Sequence, residues 1–352
     1  MEGASGEKPG GCDVTRTPAG GNGTVENSRA GADGSGRAAR SGGHGSVGPG
    51  EGRTDQIGGS RGARAARPAV ALVTGAGGGI GLETAVLLAS SGFRVAAGLR
   101  DPSRADALLA RAREAGAADR ILPLRMDVTD AGQIRAAVEE AESRFGGIGV
   151  LVNNAGFAAG GYTETIPPET WRRQFDVNLF GAVETVRAVL PGMRRRGSGL
   201  IVQVGSVSGR IGMPGFAAYN ASKFALAGWS EALRHELRPL GIDVVLVEFG
   251  SYRTGIWNKG LTDLPEDIPG GYLPQYRRML DLARRSAERA PDARLAAERI
   301  VRIARKRGRV RRFQYPGGAG IRLAFAARAL LPWPLWERAL GAVMDGKPPK
   351  RE

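Results

Sequence analysis

The sequence predicts an α/β fold, a single doubly wound parallel sheet of about seven strands with helices on both faces. Two observations predict it. Short apolar runs alternate with longer stretches in which apolar residues recur at helical spacing. The first of those runs ends in a glycine-rich turn that leads directly into a helix. Right-handed crossovers between successive strands then wind the chain to both sides of the sheet, with the ligand crevice at the carboxyl ends of the strands.

The elements follow in order. Val70 to Thr74 reads as a short buried strand, followed by the turn Gly75-Ala76-Gly77-Gly78-Gly79-Ile80-Gly81 and a helix over 80–91. Glycine allows the backbone to turn sharply and approach a pyrophosphate closely, and a helix N-terminus attracts phosphate charge. The expected strands continue at 94–99, 121–126, 149–153, 200–206, 243–248 and 311–315. The expected helices lie at 103–115, 131–145, 168–195, 217–240 and 292–307.

Composition divides the chain of 352 residues into three parts. Residues 1–67 are dominated by Gly, Ala, Ser and Arg and hold scarcely any large apolar residue. Such a segment cannot offset its chain entropy by burial, so a disordered extension is expected, and it lacks the apolar core of a secretory signal. Residues 68–317 form the α/β domain, and 318–352 a basic, apolar tail. The net charge is +15, and residues 275–352 carry 20 Lys and Arg against 7 Asp and Glu. Within the tail, Arg322 and Arg328 interrupt an apolar stretch that includes Trp333 and Trp336. That stretch is too broken to span a bilayer and suits an interfacial segment on anionic lipid. Capping of the fold or of a dimer, an acidic carrier protein and nonspecific nucleic-acid binding are the rival readings, nucleic acid being disfavoured.

The inventory of reactive side chains excludes several chemistries. The two histidines are His44 and His235, and the only cysteine is Cys12. No metal-ligand spacing, Ser–His–Asp system or intrachain disulfide is supported, and the lone cysteine is compatible with a reducing cytosol. What remains is Tyr219-Asn220-Ala221-Ser222-Lys223, with Ser206 upstream. Positions i and i+4 share a helix face, so the phenol and the ammonium point into one cleft. A nearby cation is expected to lower the Tyr219 pKa toward working pH. Tyr219 would then exchange a proton with a carbonyl or alcohol oxygen, which Ser206 would also hydrogen-bond.

Taken together these motifs resemble the short-chain dehydrogenase/reductase family. The resemblance is strong over about residues 68–260 and weaker to about 317. The family's glycine pattern falls on Thr74, Gly75, Gly79 and Gly81, with Ile80 between the last two. Its adenine-side acid falls on Asp127, followed by Val128, and its Asn-Asn-Ala-Gly on Asn153, Asn154, Ala155 and Gly156. Its helix Asn falls on Asn178, and its Ser, Tyr and Lys on Ser206, Tyr219 and Lys223. The resemblance implies a Rossmann fold in which Lys223 also hydrogen-bonds the nicotinamide ribose. It further implies that Asn178 holds a water linking Lys223 to bulk, and that the protein forms a homo-oligomer.

After the second strand, the position of the family's NAD-selecting acid is Leu99, and Arg100 follows. Arg100 can pair with a 2′-phosphate, which favours NADP, with NAD the alternative because Asp101 stands next. After the sixth strand, Gly250 and Thr254 match the residues expected to meet the nicotinamide carboxamide, whereas Phe249 replaces a Pro. Residues 255–280 correspond to the substrate lid and carry Ile256, Trp257, Leu261, Leu264, Ile268, Tyr272, Leu273 and Met279. The resemblance is nearest to the hydroxysteroid and retinol dehydrogenase-like branch. The expected protein is a cytoplasmic, membrane-associating, NADP-dependent oxidoreductase that interconverts a small-molecule alcohol and its carbonyl, on a lipophilic substrate. The alternatives are a ketoacyl-thioester reductase and a non-catalytic dinucleotide-binding protein acting through its basic tail.

Overall fold

The structure, a computed structural model, describes residues 69–254 and 268–344. The expected extension at 1–67 and the lid residues Ile256, Trp257, Leu261 and Leu264 lie outside the described residues.

Seven strands form one parallel sheet in the order β3-β2-β1-β4-β5-β6-β7. They are β1 (Val70–Thr74), β2 (Arg94–Leu99), β3 (Ile121–Arg125), β4 (Ile148–Asn153), β5 (Gly199–Ser206), β6 (Ile242–Phe249) and β7 (Gln314–Gly317). Between them run α1 (Gly79–Ser90), α2 (Ala105–Glu114), α3 (Ala131–Phe145), α4 (Pro168–Phe175), α5 (Gly181–Arg196) and α6 (Ala217–Leu237). After β6 come α7 (Leu273–Glu288) and α8 (Ala293–Ala304), and after β7 come α9 (Ile321–Leu330) and α10 (Trp333–Met344).

The strands read as continuous apolar runs because both faces of the sheet are covered. Alternate β1 side chains divide between two cores. Ala71 and Val73 pack with Leu88 of α1 and Ile300 of α8. Val70 and Leu72 pack with Ile134 of α3, Val189 of α5 and Leu233 of α6. The strand order reverses between β1 and β4, which opens the crevice where such sheets bind ligands.

Four expected elements differ in detail. The single helix over 168–195 is interrupted by a π-helical turn at Asp176–Phe180. Asn178 lies in that turn, and its side chain is spent on the Phe157 backbone. The helix over 217–240 ends at Leu237 and tightens to a 3₁₀ turn containing Pro239, which lacks an N–H. The helix at 103–115 likewise opens with a 3₁₀ turn at Pro102–Arg104. The last strand is 314–317 rather than 311–315, because Arg311 and Arg312 stay exposed and pairing begins at Gln314 opposite Leu246.

Candidate active site

The glycine turn has the shape its residues require. Gly75 and Gly79 have φ of +66° and +53°, in the left-handed region that favours glycine. At Gly81 a Cβ would lie 2.2 Å from the Gly75 carbonyl oxygen and 2.4 Å from Asn154 Nδ2, so only glycine fits. At Gly78 a Cβ would meet nothing within 4 Å. The N-terminus of α1 therefore opens with no side-chain cap and no acidic residue in its first turn. Its free N–H groups suit an anion. This uncapped, open cradle fits the diphosphate of a nicotinamide dinucleotide.

Two neighbouring segments complete the cradle. The Thr74 hydroxyl accepts hydrogen bonds from the N–H groups of Asn154 and Ala155, each at 3.0 Å. Asn154 Nδ2 donates to the Thr74 carbonyl at 3.0 Å. These bonds staple the ends of β1 and β4 on either side of the crevice, and they occupy the buried Thr74 side chain. Thr254 packs on the other side, its Cγ2 lying 3.1 Å from where a Gly79 Cβ would be. Ile80 is partly buried against the core beneath.

The remaining cofactor candidates have identifiable partners. Asp127 Oδ1 accepts from the N–H and the hydroxyl of Thr129, at 2.9 and 2.8 Å. Val128 packs beneath Gly181, where a Cβ would come within 2.8 Å of it. Asn153 Nδ2 donates to the Ala182 carbonyl at 3.2 Å, and its Oδ1 is buried without a partner. Gly250 donates its N–H to the Gly317 carbonyl at 3.0 Å. At the end of β2, Leu99 is buried and Arg100 exposed. Asp101 turns away to cap the 3₁₀ turn, accepting from the N–H and hydroxyl of Ser103 at 3.0 and 2.7 Å. Arg104, on that turn, packs beside Gly77, its Cβ 3.2 Å from the position a Gly77 Cβ would take. No sequence motif pointed to Arg104; the 3₁₀ turn brings it to the cradle.

Ser206, Tyr219 and Lys223 meet where β5 ends against α6. The Ser206 and Tyr219 hydroxyls are hydrogen-bonded. Lys223 donates to the Val204 carbonyl at 3.0 Å, with Nζ 5.9 Å from the Tyr219 ring centroid. Gly156 closes the group, since a Cβ there would lie 3.1 Å from Asn178 Oδ1 and 3.7 Å from Lys223 Nζ. Asn178 donates to the Phe157 carbonyl and to Ser222 Oγ, and accepts from the Phe157 N–H.

The electrostatics differ from the sequence expectation. Burial draws the Lys223 ammonium down to about 8. Burial also pushes the Tyr219 phenol above its ordinary value, with the Ser206 hydrogen bond opposing. Among the protein's own groups, desolvation of the phenol thus outweighs the Ser206 hydrogen bond, and the lowering expected from Lys223 does not appear. Local spacing put the two groups on one face but carried no measure of how dry that face is.

Tyr219 also belongs to an apolar cluster. Ala158, Phe216 and Met279 are buried with it, and Met213, Tyr276, Leu280, Leu282 and Leu340 pack alongside. Met279, Tyr276, Leu280 and Leu282 come from α7 and Leu340 from α10. Tyr272 stacks on Tyr162, ring centroids 4.3 Å apart. Leu340 lies so far from Tyr219 in sequence that no local pattern links them.

The short chain dehydrogenase family model matches residues 69–264. The chain belongs to the short-chain dehydrogenase family. The short-chain dehydrogenase is 39% identical over 274 residues to the uncharacterized oxidoreductase YusZ of Bacillus subtilis, covering 77% of this chain and 96% of that protein. It is 39% identical over 203 residues to human 17-beta-hydroxysteroid dehydrogenase type 1, covering 56% of this chain and 61% of that protein. A short-chain dehydrogenase/reductase from Burkholderia phymatum, solved in complex with NAD, superposes with a TM-score of 0.64 at 29% identity. That match covers 75% of this chain and 95% of the other. The protein is an oxidoreductase of the dinucleotide-binding class, and its family acts on small-molecule alcohols and carbonyls.

Proposed function

We propose that this short-chain dehydrogenase is an NADP-dependent enzyme that interconverts an alcohol and its carbonyl on a lipophilic substrate. The observation that carries the reading is the Ser206–Tyr219–Lys223 group, with Tyr219 and Lys223 buried and Ser206 half-buried, Tyr219 set into an apolar wall. Polar side chains are buried at a cost unless they are paired or used. Here two of them, Tyr219 and Lys223, converge with Ser206 where a substrate oxygen can be held.

Ser206 and Tyr219 hydrogen-bond the substrate oxygen, and Tyr219 passes the proton to it in reduction and takes it in oxidation. Lys223 stands close enough to stabilise phenolate character, and Asn178 fixes the helix turn that carries both. The bound nicotinamide supplies or accepts the hydride. The open N-terminus of α1 would hold the diphosphate, Asp127 would lie on the adenine side, and Gly250 and Thr254 would meet the nicotinamide carboxamide. Leu99 in place of an acid, with Arg100 and Arg104 nearby, supports a 2′-phosphate and hence NADP. The capping role of Asp101 supports the same choice over NAD.

The apolar residues from α7 and α10 beside Tyr219, and the likeness to a relative named for hydroxysteroids, support a lipophilic substrate. Exposed Phe180 and Phe224 supply an apolar surface for a homo-oligomer. Peripheral contact with a membrane through the basic tail belongs to the same reading. A panel of alcohols and ketones assayed with NADP and NAD, following reduced nicotinamide absorbance, tests the proposal. Tyr219→Phe should abolish turnover while cofactor binding stays near wild type. Turnover by that variant at the wild-type rate would sink the role given to Tyr219.

A further inference from the structure

The hairpin α9–α10 has two unlike sides. Its inner side packs on the domain. Ile321 meets Gly250, Phe325 lies under the Arg210 guanidinium at 4.8 Å, and Trp336 is buried. Leu340 joins the cluster that contains Tyr219. The outer side is apolar and open. Leu323 is 75% exposed, Leu330 82% and Trp333 58%. All six residues of Leu330-Leu331-Pro332-Trp333-Pro334-Leu335 are exposed in succession. A run of that kind on a protein surface marks an interaction site rather than a solvated turn.

The charge around the run identifies what it fits. Arg328 lies over the Trp333 ring at 4.8 Å. Arg322 shares the outward face with Ala326 and Leu330, at helical spacing. Arg322 also neighbours Arg299, whose charge is disfavoured first by burial and then by Arg322, Arg302 and Arg312. None of these five arginines has a carboxylate partner among the described residues. Arg277, Arg278, Arg284 and Arg285 are exposed on α7, against which α10 packs. A second copy of this chain seated here would bring arginine against arginine. Among the described helices none is long and apolar enough to cross a membrane. A short apolar tip with Arg328 over Trp333 and Arg322 two turns back on the same outward face suits the interface of an anionic bilayer.

We propose that the α9–α10 hairpin docks on an anionic lipid bilayer through Leu330–Leu335, and that the lipophilic substrate enters from the bilayer between α7 and α10. The entry route rests on the reading of Tyr219 and its apolar wall as the active centre; the docking does not. The tip sits among the acyl chains, the arginines meet lipid phosphates, and Leu340 on the inner side leads toward Tyr219.

The test uses the full chain with phosphatidylcholine vesicles, with and without phosphatidylglycerol, at low and high salt. Co-sedimentation should require phosphatidylglycerol and weaken with salt. Each surface arginine replaced by Gln, Arg322→Gln or Arg328→Gln, should cost about fivefold in affinity. A Leu330→Ser/Trp333→Ser variant with a wild-type thermal melt should lose binding. Its KM for a bilayer-dissolved long-chain alcohol should rise, with KM for a short water-soluble alcohol unchanged. If that variant does not fold, quenching of Trp fluorescence by brominated lipid, absent in Trp333→Phe, reports insertion of the tip. Wild-type protein remaining in the supernatant at low salt overturns the docking. So does a tip-dependent dimer that ignores vesicles. Binding that persists in a protein turning over no alcohol or ketone would leave the docking standing and sink the enzymatic reading instead.

Discussion

Asn178 donates from Nδ2 to Ser222 Oγ at 3.1 Å, tying the π-helical turn to the residue just before Lys223. Ser222 Oγ in turn donates to the Tyr219 carbonyl at 2.8 Å. The spacing of phenol and ammonium on α6 is thus held from a second helix. The π turn that makes this reach possible is a local irregularity of the kind often found at functional sites.

Asn178→Ala removes bonds to Phe157 and Ser222 and strands the half-buried Phe157 N–H. The expected cost is about 2–3 kcal/mol, since unsatisfied buried groups cost more than a bond is worth. We expect a lower melting temperature together with a kcat that falls more than KM changes. A variant with wild-type kcat would remove Asn178 from the positioning of Tyr219 and Lys223.

Lys223→Met separates function from stability. The folded pKa of about 8 lies below the ordinary 10.5, so the unfolded chain binds more protons between those values. The wild type should therefore gain stability from this group as pH rises through that window, and carry the full cost of a buried ammonium below it. The Met variant lacks this dependence. Its melting temperature relative to wild type should be most favourable at neutral pH and lose that advantage at alkaline pH, while activity is lost throughout. Parallel melting curves for the two proteins across this range would contradict the assignment.

Arg210 and Glu248 form a pair at the floor of the site. Glu248 lies opposite Gly205 in the sheet, next to Ser206, and is 1% exposed with one oxygen unpartnered. Burial raises its carboxyl, and Arg210 opposes that rise. A raised pKa means its favourable contribution is present below the unfolded value and lost as pH rises through the folded one. Arg210→Ala should cost about 2–3 kcal/mol at neutral pH, less than for a fully buried pair because Arg210 is partly exposed, and much less in acid. Combining it with Glu248→Gln should restore most of the melting temperature. Equal destabilisation at acid and neutral pH would show that the loss comes from Phe325 packing instead.

Cofactor choice should follow the arginines beside the cradle. Wild-type kcat/KM should favour NADP, and Arg100→Ala and Arg104→Ala should each narrow the ratio by about tenfold, the scale of one charge-assisted phosphate contact. Both changes should act mainly through KM for NADP and leave NAD kinetics unchanged. A wild-type preference for NAD would refute the assignment.

The sheet and the site were legible to different depths. The β1–glycine–α1 unit could be read from the chain because each part is dictated locally: an apolar run, backbone angles that only glycine adopts freely, then helical spacing. The same holds for Tyr219 and Lys223, whose common helix face follows from the i, i+4 relation. Asp127, Asn153 and Asn178 came from the family resemblance, which gave their order along the chain.

What the chain could not convey is anything set by distance in space rather than in sequence. Arg104 reaches the glycine turn because a 3₁₀ turn folds it back, and Arg311 and Arg312 shift the last strand because the sheet edge cannot bury them. The wall beside Tyr219 unites Phe216, Met279 and Leu340 from three separate helical regions. Whether Tyr219 is raised or lowered depends on how much water that wall removes. Spacing along a chain fixes which face a side chain takes; only the packed fold fixes the dielectric it meets and the partners it finds there.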